Sequence, residues 1–319
     1  MGRSQLKPNE HEIEEKTNHK IIDANDLVFS VETKTTDTQK IRYKGYTFHY
    51  RYFGKSTLST YPILMLSGAF QNMESWKRFA DFFETKTEVL LTDLPGTGQS
   101  DPITETTPID FQSDCVAYLM EKLNIKKVNI IATSYGSPIA HRLAQLYPNK
   151  INSLVLAGTM KEVPQSKRAD IQESIRLIED DATKFAEKMV SILMAQQEFK
   201  WVNKNKLAKR VLYTVCKGLT DREKHHYIIN TKRLLNLEPL DLSIQPVVST
   251  LVFTGEYDPF TRPEYCRDIA QSFQRAMFTT IKGADHLFHM EQFEVTLNLL
   301  YRFFMPLDEV EGIHSIEIF

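Results

Sequence analysis

The 319-residue sequence predicts an α/β protein with a mostly parallel central sheet covered by helices on both faces. Three observations carry that expectation. Short aliphatic and β-branched runs alternate with helical stretches of roughly 10 to 15 residues from about Ile63 onward. The alternation stops near Met160 and resumes after Pro246. Apolar residues make up 42% and charged residues 25%, enough to build a sizeable core and to exclude wholesale disorder.

Taken in order, residues 1–25 are polar, charged and without a period, and read as a mobile N-terminal extension. From Asp26 the stretches LVFSV and IRYKGYTFHYRYFG alternate and are rich in Tyr and Phe, which suggests two or three short antiparallel strands. Ile63–Leu66 is a buried-strand run that stops at Ser67-Gly68. A helical stretch around Trp76 to Phe83 and a strand over Val89–Thr92 follow. Ile109–Leu123 is amphipathic, and Val128–Ile131 is a short β-branched run. Tyr135–Tyr147 places Ile139, Leu143 and Leu146 on one helix face and is stopped by Pro148. Leu154–Leu156 is a further strand.

Between Met160 and Gln245 the chain is helical and highly charged, with no strand-like run, and Thr220-Asp221-Arg222-Glu223 is a capping box. Thr250–Phe253 restarts the alternation, which closes with a helix over Glu291–Phe304. The expected organisation is a core of residues 26–160 and 246–307, a helical cap of residues 161–245 inserted after the sixth strand, and a C-terminal tail of residues 308–319. An all-helical insertion in a continuing sheet is the pattern of a cap over the open edge of a site.

Composition narrows the function. A net charge of −2 gives no reason to expect a nucleic-acid partner. Cys115, Cys216 and Cys266 are too far apart for CxxC metal or redox motifs, and their odd number suits a reducing compartment. No apolar run approaches the roughly 18 residues needed to span a bilayer, and the first 20 residues hold no apolar signal region. A cytoplasmic protein is the expectation. His225 and His226 are adjacent and so face apart on a helix, which makes a poor metal pair. Gly96 and Gly98 lack the third glycine and the βαβ start of a phosphate loop. Neither a metal nor a cofactor is expected.

The most informative stretch is VNIIATSYGSPIA, Val128 to Ala140. A hydrophobic strand runs into Ala132-Thr133-Ser134-Tyr135-Gly136, and a helix begins at once. Such a turn lifts the serine hydroxyl above the sheet and points the free N–H groups of the new helix at developing negative charge. The crowded turn needs small residues two before and two after the serine, here Ala132 and Gly136. This stretch resembles the nucleophile elbow of the α/β-hydrolase superfamily, Gly-x-Ser-x-Gly, with Ala in place of the first Gly.

Four further stretches fit the resemblance. Thr254-Gly255-Glu256-Tyr257-Asp258 puts an acid after a strand, and Gly283-Ala284-Asp285-His286 follows before the last helix. The order Ser, acid, His is the superfamily's own. Asp93-Leu94-Pro95-Gly96-Thr97-Gly98-Gln99-Ser100 is similar to the family's Asp-x-x-Gly-x-Gly-x-Ser turn. Leu66-Ser67-Gly68-Ala69 stands where these proteins usually carry His-Gly at the oxyanion loop. LSGAFQ and ATSYGSPIA also resemble hydrolases encoded beside polyketide and peptide assembly lines.

The resemblance implies roles. Ser134 is the expected nucleophile, His286 its base, and Asp258 the residue that orients and stabilises the imidazole. His289 and Asp285 are rivals for the last two roles, and Glu256 reads as a turn residue. The oxyanion hole is expected from the backbone N–H groups of Tyr135 and Ala69, with Phe70 as an alternative to Ala69. The implied activity is cleavage of a carboxylic ester or thioester with an apolar acyl part through an acyl-enzyme. Other triad chemistry (C–C hydrolysis, lyase action or acyl transfer) and a non-catalytic ligand-binding protein are the alternatives. Finally, Lys200, Lys204, Lys206, Lys209 and Arg210 meet no acid and interleave with Trp201, Val202, Leu207 and Val211. That pattern fits either a solvated helix face or a docking surface for an acidic partner such as an acyl-carrier protein.

Overall fold

A computed structural model describes residues 35–55, 60–195, 202, 204–305 and 317–318. The expectations for residues 1–25, LVFSV, Lys200 and Trp201 lie outside the described residues. The chain opens with an antiparallel hairpin, β1 (Thr35–Tyr43) and β2 (Tyr46–Phe53). The α/β alternation follows as β3 (Ile63–Leu66), α1 (Lys77–Phe83), β4 (Val89–Asp93), α2 (Ile109–Lys122), β5 (Val128–Thr133), α3 (Gly136–Leu146) and β6 (Ile151–Ala157). Four helices come next: α4 (Gln165–Asp180), α5 (Ala182–Leu193), α6 (Asn205–Lys217) and α7 (Asp221–Asn236). The sheet resumes with β7 (Ser249–Gly255), α8 (Pro263–Ala270) and β8 (Ala276–Ile281), then α9 (Phe288–Glu291), α10 (Phe293–Phe304) and β9 (Glu317–Ile318).

Among the described residues the sheet has nine strands in the order β1-β2-β4-β3-β5-β6-β7-β8-β9. The pairings from β4 through β8 are all parallel, while β1, β2 and β9 add antiparallel edges. β3, β4 and β5 are buried along their whole length, as expected of strands covered on both faces. Two apolar layers sandwich them. One is built around α2, α3 and α8 with Leu119, Met120, Leu143 and Ile269. The other is built around α1 and α10 with Phe79, Phe83, Leu297 and Leu300. A third apolar cluster, with Phe185, Met189, Ile192, Leu212 and Tyr227, lies within the helices between β6 and β7.

Three local expectations need correction. Leu146 is 41% exposed and does not join Ile139 and Leu143 in the core, because α3 ends there and turns toward Pro148. The basic helix starts at Asn205, with Val202 buried ahead of it. The last helix is broken at Gln292 into α9 and α10. The capping box at Thr220 forms as the sequence implies: Thr220 accepts from the Glu223 N–H, and the Glu223 side chain accepts from the Thr220 N–H. Among the described residues no helix is long and apolar enough to cross a membrane.

Candidate active site

Ser134, Asp258 and His286 each sit beyond the C-terminal end of a parallel strand, where open α/β sheets build their sites. β5 is central and delivers Ser134. β3 lies beside it, so the Gly68–Gln71 loop is next to the serine. β7 and β8 are neighbours, so the turn with Asp258 and the loop with His286 meet. β6 separates the two halves, and His286 reaches Ser134 across its end at Gly158. A Cβ on Gly158 would lie 2.9 Å from Thr261 Oγ1 and 3.5 Å from His286 Cε1, and its φ of +68° is a left-handed conformation.

Ser134 itself has φ of 46°, a conformation that a side chain with a Cβ resists and that packing must hold. The packing is visible. Ser134 N–H donates to Ala157 O at 2.9 Å, and Ser137 N–H donates to Ser134 O at 2.9 Å. Gly136 lets α3 begin against β3, since a Cβ there would lie 2.8 Å from Leu66 O. That contact is the physical reason for a residue without a side chain two places after the serine.

The structure brings Ser134, His286 and Asp258 into one hydrogen-bonded line. His286 Nε2 is 3.2 Å from Ser134 Oγ, and His286 Nδ1 is 2.8 Å from Asp258 Oδ2. Asp258 also accepts from Thr254 Oγ1 at 2.7 Å, from Thr261 Oγ1 at 2.6 Å, and from the N–H groups of Phe260 and Thr261 at 2.8 Å. Burial alone would raise the Asp258 pKa. The His286 charge and the hydrogen bonds from His286, Thr261 and Thr254 outweigh it and hold the carboxyl below its ordinary value. Burial likewise opposes the charged form of His286, but the charge and hydrogen bond of Asp258, with the Asp285 charge added, raise its pKa above the usual 6.5.

The rivals are placed elsewhere. Asp285 directs Oδ2 to the Ala195 N–H and Asn205 Nδ2, and Oδ1 to the Leu287 N–H. His289 faces Gln71 Nε2 at 3.4 Å, and burial, with the His286 charge added, pushes its pKa down to about 4. Glu256 accepts from the Gly283 N–H and ties two loops together. The Asp93–Ser100 turn is structural: Ser100 Oγ donates to Asp93 O, and a Cβ on Gly98 would lie 1.9 Å from Asp93 Oδ2.

Ser134 and His286 line a cavity of about 540 Å³ together with Ala69, Phe70 and Tyr135. Its other walls are mostly apolar, with Ile171, Met189, Ile192, Val211 and Leu212 contributed by α4 to α6, and also hold Gln71, Arg78, Lys204 and His289. Phe70 has φ of 62° and is held by stacking on Tyr227 of α7 at 4.9 Å and by an edge contact with Phe185 of α5. The Tyr135 hydroxyl donates to Asn230 Oδ1 of α7 at 2.8 Å. Ser67, in place of the usual histidine, accepts from Trp76 Nε1 at 3.0 Å. Gln71, Tyr227, Asn230 and Thr261 thus shape the site without a motif that could have singled them out.

Residues 61–293 match the family model described as the alpha/beta hydrolase fold. A poly(3-hydroxyalkanoate) depolymerase of Ectopseudomonas oleovorans is 32% identical over 100 residues, 31% of this chain and 35% of that one. The chain thus matches only about a third of that relative's length. An (R)-3-hydroxydecanoyl-ACP:CoA transacylase of Pseudomonas aeruginosa is 24% identical over 82% of this chain and 87% of its own. Among solved structures, the α/β hydrolase MGS-M2 from a deep-sea metagenome library superposes with a TM-score of 0.72 at 21% identity, covering 86% of this chain and all of that one. The enol-lactonase of Burkholderia xenovorans LB400 gives 0.70 at 18%, covering 83% and 99%. At such identities the likeness speaks for the fold.

Proposed function

Because the chain belongs to the α/β-hydrolase fold family, we propose that it is a serine hydrolase that cleaves a carboxylic ester or thioester through an acyl-enzyme. One observation carries the reading: Ser134 Oγ, His286 and Asp258 are hydrogen-bonded in series on the wall of a large apolar cavity. His286 Nε2 takes the Ser134 proton as Oγ attacks the acyl carbon, and the new carbonyl oxyanion meets the N–H groups of Tyr135 and Ala69. The leaving alcohol or thiol departs with the proton held by His286. Water then enters by the same route and releases the acid. The helices over residues 161–245 act as a cap whose apolar faces receive the acyl chain, each buried methylene contributing about 0.8 kcal/mol.

A second reading, transfer of the acyl group to an acceptor other than water, is favoured by the transacylase that aligns over most of the chain. Labelling with a fluorophosphonate, followed by turnover of an acyl-length series of p-nitrophenyl esters and acyl thioesters with and without added thiol or alcohol acceptors, tests both. Label at Ser134 with free acid as product is the expected result. Label at another serine overturns the assignment, and product only with acceptor present favours transfer.

A further inference from the structure

Helix α6 carries two distinct surfaces side by side. At about 100° per residue, Lys206, Arg210 and Lys217 fall within a sector of about 40°, and Lys209 lies about 60° to one side of Lys206. The neighbouring sector holds Leu207, Val211 and Val215, which line the cavity of Ser134. Leu207 is 57% exposed and Val215 39%, so the cavity opens to solvent along this helix, beside the cations.

The cations are a local excess. Several lysines elsewhere meet carboxylates, as Lys188 does at Asp170 and Glu173 and Lys232 at Glu105. Helix α6 contains no acidic residue. Among the described residues Lys206, Lys209 and Arg210 make no ion pair, although the whole chain carries a net charge of −2.

We propose that the cationic face of α6 is the docking surface for an acidic acyl-carrier protein, which passes its acyl thioester over Leu207 and Val211 to Ser134. The inference rests on the acyl-enzyme reading of the site. A carrier stays outside and delivers its acyl chain on a flexible arm, so it needs a charged footprint next to a narrow apolar mouth. A bilayer would call for a broader exposed apolar stripe than Leu207 and Val215 supply. The chemistry is that of the site: the C–S bond breaks as the bond to Ser134 Oγ forms, and the carrier thiolate takes the proton that His286 accepted.

The test compares octanoyl-loaded acyl-carrier protein with octanoyl-pantetheine on the wild type and on a Lys206→Glu/Lys209→Glu/Arg210→Glu variant. In the wild type, kcat/KM for the carrier should exceed that for the small thioester and fall with salt. The variant should lose about tenfold or more on the carrier, together with its salt dependence, and keep its rate on octanoyl-pantetheine, which also reports an intact fold. Equal losses on both substrates, or no loss on either, overturn the proposal. So does wild-type binding to phosphatidylglycerol vesicles that the variant loses while carrier turnover is unchanged, which would make the surface a lipid-binding one. If Ser134 labels and esters turn over but neither thioester does, carrier delivery is wrong and the hydrolase reading stands. If nothing labels or turns over, the hydrolase reading fails instead.

Discussion

Gln71 Oε1 accepts the backbone N–H of Gly68 at 2.8 Å, and the same oxygen accepts from Thr133 Oγ1 at 3.1 Å. One side chain therefore ties the loop after β3 to the strand that ends at Ser134, and leaves Ala69 and Phe70 to face the cavity. Gln71→Ala should free this loop and lower kcat by about 10- to 100-fold with little change in KM, because an oxyanion donor works only in the transition state. Steady-state kinetics on a p-nitrophenyl ester decides it. A rise in KM alone would mean that Gln71 serves ground-state binding.

Ser134→Ala should abolish turnover, a loss of about 10⁶ in kcat. Ser134→Gly should be equally inactive but more stable than Ser134→Ala, by about 1 kcal/mol, because glycine adopts a φ of 46° freely. Thermal melts of the two variants check this, and equal midpoints would mean that the turn stores no strain.

Activity requires neutral His286, whose pKa lies above 6.5 in the folded protein. The acid limb of kcat/KM should therefore have its midpoint above 6.5, with activity lost as pH falls through it. Asp258→Asn removes the charge that raises this pKa and leaves burial to lower it. Its acid limb should move to lower pH while kcat drops by about 10⁴. An unmoved limb in that variant would assign the ionisation to another group.

Glu291 is buried, its Oε2 accepts the Asp285 N–H at 2.7 Å, and its Oε1 has no partner among the described residues. Burial, with the Asp285 charge added, pushes its pKa up to about 8 from the usual 4.5. The unfolded chain thus releases this proton first, and stability falls as pH rises between those values. Glu291→Gln keeps a neutral donor and acceptor without that loss, so its melting temperature should exceed the wild type's at pH 8 and approach it near pH 5. His286 adds a loss of the same sign in both proteins, so the difference reports the adjacent Glu291 and Asp285 carboxyls together. A constant offset across pH would point to packing alone.

Met189 of α5 lines the cavity and is 5% exposed. Met189→Trp should shorten the preferred acyl chain by a few methylenes, each about 0.8 kcal/mol in kcat/KM, or about fourfold. The ester chain-length profile measures it, and a uniform loss at all lengths would mean that the acyl chain does not reach α5.

The parts legible in the chain are those that local chemistry dictates. Val128, Ile130 and Ile131 are β-branched and apolar, and Thr220 with Glu223 closes its own helix end. Each depends on neighbours a few residues away, and so do the strand-to-helix rhythm and its interruption at the helical insertion. The juxtaposition of Ser134, Asp258 and His286 was anticipated through the resemblance and not through any local force, since 152 residues separate the serine from the histidine. What no pattern could supply was which side chains stabilise a strained loop. Gln71 on Thr133, Tyr227 stacked under Phe70, Asn230 on the Tyr135 hydroxyl and Thr261 beside His286 are contacts between elements remote in the chain. Their partners are chosen by strand order and by the way α7 packs, and a residue type alone carries no mark of that choice. The same holds for Asp285, adjacent to His286 in sequence yet turned to Ala195 and Asn205, because the turn after β8 sends successive side chains in opposite directions.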